Sequence, residues 1–402
     1  MPGPGRLARA WQVFLVSSRL GLTSFGGPVA HLGYYREEYV RRRKWLTDEE
    51  YADLVALCQF LPGPASTQVS IAIGMKRAGQ IGALLAWLGF TMPSAVAMVL
   101  FAYGVAATGN VADAGWLHGL KIVAVAVVAW AVWGMARSLC PDRPRVTLAI
   151  LAAAGMLAAP NTAAQVGVII VGGILGWTLL RSSAAAKAPI VAAPARLPIA
   201  GRWFAIGALA VFFVLLAGLP VLRQVIASEP LNVFDSFYRS GSLVFGGGHV
   251  VLPLLQAEVV PTGWVTDEEF IAGYGAAQAV PGPLFTFAAY LGASIESMPA
   301  PWLGGLLALI AIFLPSYLLV AGALPFWDRI RQNAPFRRAL MGINAAVVGL
   351  LIAALYDPVW TSAIHAPKDF GLGLVAFGLL AFWKLPPWLV VVGAALGGWA
   401  LA

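Results

Sequence analysis

The chain contains two copies of one pattern. Residues 14–28 read FLVSSRLGLTSFGGP and residues 234–248 read FDSFYRSGSLVFGGG, so Phe14, Arg19, Gly21, Phe25, Gly26 and Gly27 fall on Phe234, Arg239, Gly241, Phe245, Gly246 and Gly247. WLTDEEY from Trp45 matches WVTDEEF from Trp264, and QFLPGPAST from Gln59 matches QAVPGPLFT from Gln278. Later landmarks keep the order: Met92-Pro93-Ser94 with Leu314-Pro315-Ser316, then Gly119-Leu120-Lys121 with Gly342-Ile343-Asn344. A repeat spanning most of each half sets the fold to two related units.

The solvent of those units is lipid. Hydrophobic residues make up 60% of the 402 residues and charged residues 11%, against roughly 45–50% and 25% in soluble domains. The net charge of +8 (26 minus 18) would suggest nucleic acid in a soluble protein, but here Lys and Arg sit in short loops between apolar runs. That is the pattern of membrane orientation, and no nucleic-acid partner is expected. Cys58 and Cys140 are the only cysteines, which offers neither a disulfide framework nor a cysteine metal cluster. Arg6 and Arg9 precede an apolar run as in a signal peptide, but Arg19 interrupts it, so the segment is expected to belong to the mature protein.

The loop before Trp45 holds Arg36, Arg41, Arg42, Arg43 and Lys44, whereas its counterpart at 256–263 holds no Lys or Arg. Around 110–115 the relation reverses: that loop is neutral, and its counterpart carries Arg329, Arg331, Arg337 and Arg338. Basic short loops stay in the cytoplasm, so equivalent loops are expected on opposite sides. Apolar segments at about 80–104, 116–137, 146–160, 163–181 and 203–222 provide five crossings between equivalent points, an odd number. The expectation is an all-α polytopic membrane protein of two inverted-topology repeats, 1–181 and 232–402, joined by a linker and inverting helix at 182–231.

Two kinds of break interrupt each half. Thr47 with Glu50, and Thr266 with Glu269, are capping-box pairs opening helices of about a dozen residues, each too short to cross a bilayer. Pro62-Gly63-Pro64 and Pro281-Gly282-Pro283 then separate each from a second short helix, which predicts re-entrant hairpins with Pro-Gly-Pro at the tip. Pro64 suits the first helical position and leaves the amides of Ala65, Ser66 and Thr67 without intrahelical partners; Leu284, Phe285 and Thr286 follow the second tip. Such amides attract anions. The plain alternative is a tight turn between helices, against which stand Gln59, Gln278, Thr67 and Thr286 at matched positions. The second break is Phe-Gly-Gly, six residues beyond Arg19 and Arg239. An Arg in an apolar segment faces a partner or a watery cavity, and two guanidinium forks suit a tetrahedral dianion. Arg239, among Tyr238, Ser240 and Ser242, is expected in the wetter site. The other reading of both arginines is a snorkelling or salt-bridged side chain. Glu38 and Glu258, matched across the repeat, are candidates for proton coupling or for loop salt bridges; His31, His249, Lys121 and Asn344 are weaker candidates.

The duplicated F-G-G-P/G, W-x-T-D-E-E-aromatic and Q-x-x-P-G-P motifs resemble the chromate ion transporter family in its long-chain, two-domain form. The resemblance implies a secondary transporter exporting chromate across the bacterial inner membrane, with the proton-motive force as energy source and sulfate as a close analogue. It carries Arg19, Phe25, Gly26, Gly27, Gln59, Pro62, Gly63 and Pro64, with their second-half matches, into the binding site. Gly248 stands where the first half has Pro28, so the two breaks need not share one geometry. No nucleotide-binding P-loop is present, which agrees with a secondary mechanism. No catalytic residue, metal or cofactor is expected. The expected partners are the small oxyanion and the lipid bilayer, with a homodimer left open. Sulfate uptake, an anion channel and an enzyme acting on phosphorylated lipids are the competing functions.

Overall fold

The computed structural model describes residues 5–25, 27–107, 115–180, 201–245 and 248–401. Among them every regular element is helical. The first half comprises α1 (Arg6–Thr23), α2 (Gly27–Tyr35, prolonged by a π turn at Arg36–Arg42), α3 (Asp48–Phe60), α4 (Ala65–Ala107), α5 (Gly115–Leu139), α6 (Arg143–Ala158) and α7 (Thr162–Leu179). After α8 (Arg202–Val225), the second half runs α9 (Glu229–Ser242), α10 (Val251–Val259), α11 (Asp267–Ala279), α12 (Phe287–Ser294), α13 (Pro301–Ala323), α14 (Trp327–Gln332), α15 (Ala334–Ala354), α16 (Pro367–Ala381) and α17 (Pro387–Leu401). Among the described residues five helices are long and apolar enough to cross a membrane: Ala65–Ala107, Gly115–Leu139, Arg202–Val225, Pro301–Phe326 and Ala334–Trp360.

Both capping boxes form as the sequence indicates. The Thr47 side chain accepts from Glu50 N–H while the Glu50 carboxylate accepts from Thr47 N–H, and Thr266 with Glu269 repeats the exchange. α4 does not run straight, for its 43 residues include Ala78 at φ −142° and Gly79 at φ +70°, where two arms meet. A positive φ there is open to glycine at little cost. The arms then fold against each other where Gly74 and Gly82 touch backbone to backbone. α12 and α13 repeat that contact through Gly292 and Gly304. Small residues at a helix crossing let main chains approach, which is how helices associate where lipid removes the hydrophobic drive.

The same device joins the halves. Gly119 on α5 meets Gly398 and Ala394 on α17, and Gly342 on α15 meets Gly172 and Gly176 on α7. Each long helix thereby packs on the closing hairpin of the other half. Chain reversals at the Phe-Gly-Gly breaks are equally visible in contacts: Ser17 Oγ lies 3.2 Å from Tyr39 Oη, and Arg239 reaches Glu258 at 2.9 Å. The Pro-Gly-Pro hairpins close likewise, with Lys76 2.5 Å from Glu50 and Tyr290 Oη donating to Glu269 C=O at 3.0 Å.

Candidate functional site

The two Pro-Gly-Pro tips turn through glycines that other residues could not replace. Gly63 has φ +120° and Gly282 φ +100°, a region without strain for glycine alone. A side chain would also displace its neighbours: a Cβ on Gly63 would lie 2.6 Å from Gln68 Nε2 and from Ser316 Oγ, and one on Gly282 2.8 Å from Ser94 Oγ. Ser94 and Ser316 are the serines of the matched Met-Pro-Ser and Leu-Pro-Ser landmarks. Each tip thus sits on the serine of the opposite half.

The backbone makes the same exchange. Gly63 N–H donates to Val244 C=O at 2.7 Å and Gly282 N–H donates to Ser24 C=O at 2.9 Å. Val244 and Ser24 immediately precede the two Phe-Gly-Gly motifs, so each tip docks on the other half's break. Ser24 C=O has a second donor, His31 Nε2 at 3.2 Å, and His31 Nδ1 lies 3.3 Å from Ser66 Oγ. A carbonyl can only accept, so Nε2 carries the proton and Nδ1 of the neutral ring accepts from the serine hydroxyl. One buried histidine thereby connects the first break, the second tip and the helix that follows the first tip. On the other side His249 Nδ1 pairs with Tyr274 Oη at 2.7 Å.

The helix starts beyond the tips differ. At the first, the earliest bonded amide is Gln68 N–H, which donates to Pro64 C=O at 3.0 Å, leaving the amides of Ala65, Ser66 and Thr67 free of intrahelical bonds as expected. At the second, a 3-10 turn over Leu284–Thr286 closes first: Thr286 N–H and Thr286 Oγ both donate to Pro283 C=O, at 3.0 and 2.8 Å. The two tips are therefore not equivalent in their first helical turn. Thr67 Oγ, by contrast, is buried without a protein partner, as are Ser24 Oγ, Gln68 Oε1, Thr91 Oγ, Gln278 Nε2 and Ser316 Oγ. Buried polar atoms are ordinarily bonded. These six atoms belong to the tips, the first break and the helices against which the tips are seated.

Gln59 is exposed, and Gln278, Pro62, Pro281 and Gly282 are half-buried, so the tips are reachable from outside the core; Pro64 and Pro283 are buried. Phe25 is half-buried with its ring 5.9 Å from that of Trp388 on α17, and Phe245 is half-buried in the matched place. Gly27, at φ +73°, opens α2. Gly26, Gly246 and Gly247 lie outside the described residues.

The arginines reverse the expected order of exposure. The Arg19 side chain is 59% exposed, and its nearest carboxylate, Glu38, is 4.0 Å away. Arg239 is 19% exposed and sits between Asp235 and Glu258, each at 2.9 Å. Arg19 is the more exposed of the two, because Asp235, one helical turn back from Arg239, and Glu258 across the break draw the second arginine inward. Glu38 is also held by Arg42 and Arg43, at 3.2 and 2.7 Å. Burial works to raise its pKa, but those guanidinium groups and Arg19 outweigh it and hold the carboxyl below the usual range.

Lys121, one of the weaker candidates in the sequence, gains weight in three dimensions. Among the described residues it is the one Lys or Arg that is buried, at 6% exposure. Neighbouring Leu120 presses its carbonyl on Gly275 of α11, the helix leading to the second tip, and Glu268 and Asp369 act on Lys121 through space. His118 Nε2, one turn away, lies 3.0 Å from Asp369 Oδ1.

A family model described as Chromate transporter matches residues 11–177 and again residues 231–399. The chain belongs to the chromate transporter family. It is 29% identical to a chromate transport protein of Pseudomonas aeruginosa over 96% of this chain and 91% of the relative. It is 26% identical to one of Cupriavidus metallidurans over 96% and 92%, and 25% identical to a probable chromate transport protein of Synechococcus elongatus over 98% and 95%. No solved structure matches the chain. The family is one of transporters, not enzymes, and with its apolar helices this member is a multi-pass membrane protein.

Proposed function

We propose that the chain is a secondary transporter that exports chromate across the bacterial inner membrane, and that the anion binds where the two tips cross. The observation carrying this reading is the open first turn of α4, where three amides lack intrahelical bonds, the Thr67 hydroxyl is orphaned, and Ser66 is linked through His31 to the Ser24 carbonyl that seats the second tip. An oxyanion is the ligand such donors suit. Exposed and loosely paired Arg19 supplies a cation on one side, and buried Lys121 supplies one beside α11, the helix that leads to the second tip. In this reading 1–181 and 232–402 are inverted repeats, the Pro-Gly-Pro hairpins are re-entrant, and 182–231 restores the chain for its second insertion. Non-helical backbone at membrane depth then lies only where it lines the path.

Energetically, the membrane potential component of the proton-motive force is sufficient. A dianion leaving a cell that is negative inside gains about 4–5 kcal/mol for roughly 100 mV, from two charges at about 2.3 kcal/mol each. Arginine in place of a stoichiometric proton carrier accords with this, since Glu38 and Glu258 both serve as counter-ions to arginines. The test is accumulation of labelled chromate and sulfate in everted vesicles, with the potential and the pH gradient imposed separately. Chromate accumulation under potential supports export. Preference for sulfate, or dissipation of a gradient without transient counterflow, assigns the site to sulfate or to a channel instead.

A further inference from the structure

On the face carrying the basic 36–44 segment, the arginines fall into two classes. Arg36, Arg41, Arg42 and Arg43 have carboxylate partners, and Lys76 has Glu50. No ion pair among the described residues reaches Arg6, Arg9 or Arg77. These three converge on the kink of α4: Arg6 Nε donates to Ala78 C=O at 3.1 Å, its guanidinium fills the space beside Gly79, and Arg9 and Arg77 feel each other's charge. Arg77 also lies 4.8 Å over the Trp45 ring, which fixes it to this corner. The Nε atoms of Arg9 and Arg77 are buried without partners. Three like charges gathered around one bend make that corner attractive to an anion.

An apolar groove begins at the same bend. Gln80, the residue after Gly79, accepts from Tyr317 Oη at 2.8 Å and closes its end. Beyond them the groove, about 480 Å³, runs between α4 and α13 past Ile81, Leu84, Trp87, Ile310, Phe313 and Leu314. Gln80 to Trp87 is seven residues, or about 10 Å of helix. Ile81, Leu84 and Ile310 are 40% exposed or more, so the groove opens sideways from the protein. A cationic corner continuous with an apolar channel fits an amphiphile with an anionic head.

We propose that this corner and groove bind one anionic phospholipid of the cytoplasmic leaflet, its phosphate on Arg6, Arg9 and Arg77 and one acyl chain between α4 and α13. The inner leaflet is where anionic lipids meet basic segments. The α13 wall of the groove includes the residues flanking Ser316, the seat of the Gly63 tip, so the lipid braces the helix on which the first tip rests.

The experiment uses the purified, delipidated full chain and follows the thermal unfolding midpoint on titration with phosphatidylglycerol, phosphatidylcholine or glycerol 3-phosphate, with native mass spectrometry to count retained lipids. One phosphatidylglycerol should be retained and should raise the midpoint by a few degrees, as a ligand specific to the folded state does. The other two compounds should leave it unchanged. Arg6→Gln/Arg77→Gln, and separately Leu84→Trp filling the groove, should each weaken phosphatidylglycerol binding at least tenfold. An equal response to phosphatidylcholine overturns the proposal, as does an equal response to glycerol 3-phosphate, which would assign the corner to a free phosphate. Variants that bind like the parent, or a dimer abolished by Leu84→Trp, would also overturn it, the latter by giving the groove to a second copy. If a variant does not fold, the comparison of the three compounds on the parent decides.

Discussion

Gly282 N–H donates to Ser24 C=O at 2.9 Å, so the tip of one half is held by the break of the other. Gly63 makes the reciprocal bond to Val244 at 2.7 Å. Each tip is thus seated on the opposite half. Any relative movement of the halves must therefore break or slide these two bonds, which ties the site to the interface that alternating access would use.

Replacement of either tip glycine should stop transport without preventing insertion. Gly63→Ala meets Gln68 and Ser316 and forces a β-carbon into a positive-φ position, at about 1–3 kcal/mol of strain. Gly282→Ala meets Ser94 in the same way. Chromate accumulation in everted vesicles should fall at least tenfold while membrane abundance stays near parental. Normal transport by either variant would make the tip a plain turn.

His31 is predicted to position rather than to bind. His31→Ala removes two hydrogen bonds, each contributing about 0.5–1.5 kcal/mol, leaving Ser24 C=O with Gly282 N–H as its donor and taking the acceptor from the Ser66 hydroxyl. Chromate affinity should drop roughly tenfold, and the thermal midpoint should fall too. His31→Gln, which can bond at both ends, should recover part of each; an affinity loss with no change in stability would instead indicate direct contact with the anion.

The two arginines should behave oppositely. Arg239→Gln leaves Glu258 buried without its cation and Asp235 with Arg223 alone, a loss of about 3–5 kcal/mol by analogy with broken buried pairs. Adding Glu258→Gln should restore part of that stability. Arg19→Gln removes an exposed, 4.0 Å pairing and should cost under about 1 kcal/mol, yet weaken chromate affinity about tenfold. Calorimetric unfolding with parallel binding titrations separates the two outcomes.

The pH dependence of stability follows from Glu38 and Glu50. Both carboxyls are held below their ordinary range despite burial, Glu38 chiefly by Arg43 and Glu50 by Lys76. A depressed folded pKa contributes stability that is full above the unfolded value, about 4.3, and is lost as pH falls through the folded value. The thermal midpoint should thus fall below about pH 4, and Glu38→Gln/Glu50→Gln should flatten that arm while lowering the midpoint at neutral pH. An acid arm as steep as the parent's would place the titration elsewhere.

Much of this fold is legible in the sequence because the breaks are written in residues with few alternative uses. Thr-Asp-Glu-Glu can cap, Pro-Gly-Pro cannot continue a helix, and their double occurrence aligns the halves. Alignment shows which residues are equivalent, not which ones meet, so the crossing of each tip onto the opposite serine and break was out of reach. The matched Ser94 and Ser316 were the available hint. The relative exposure of Arg19 and Arg239 does not follow from their immediate neighbours; Asp235 at i−4 from Arg239, which has Leu15 as its counterpart, is the informative residue. The second tip's closed turn depends on Thr286 bonding back to Pro283, a choice that Thr67, in the same motif, does not make.

That difference between two matched threonines gives the most direct test of the anion site. Thr67→Val and Thr286→Val are nearly isosteric, and chromate affinity of each purified protein can be measured calorimetrically against the parent. Loss of a hydrogen bond to a charged ligand is worth about 1.5–3 kcal/mol, so Thr67→Val should weaken binding roughly ten- to hundredfold, with Thr286→Val within about threefold of the parent. Equal effects, or a larger loss at Thr286, would contradict an anion seated on the open first turn of α4.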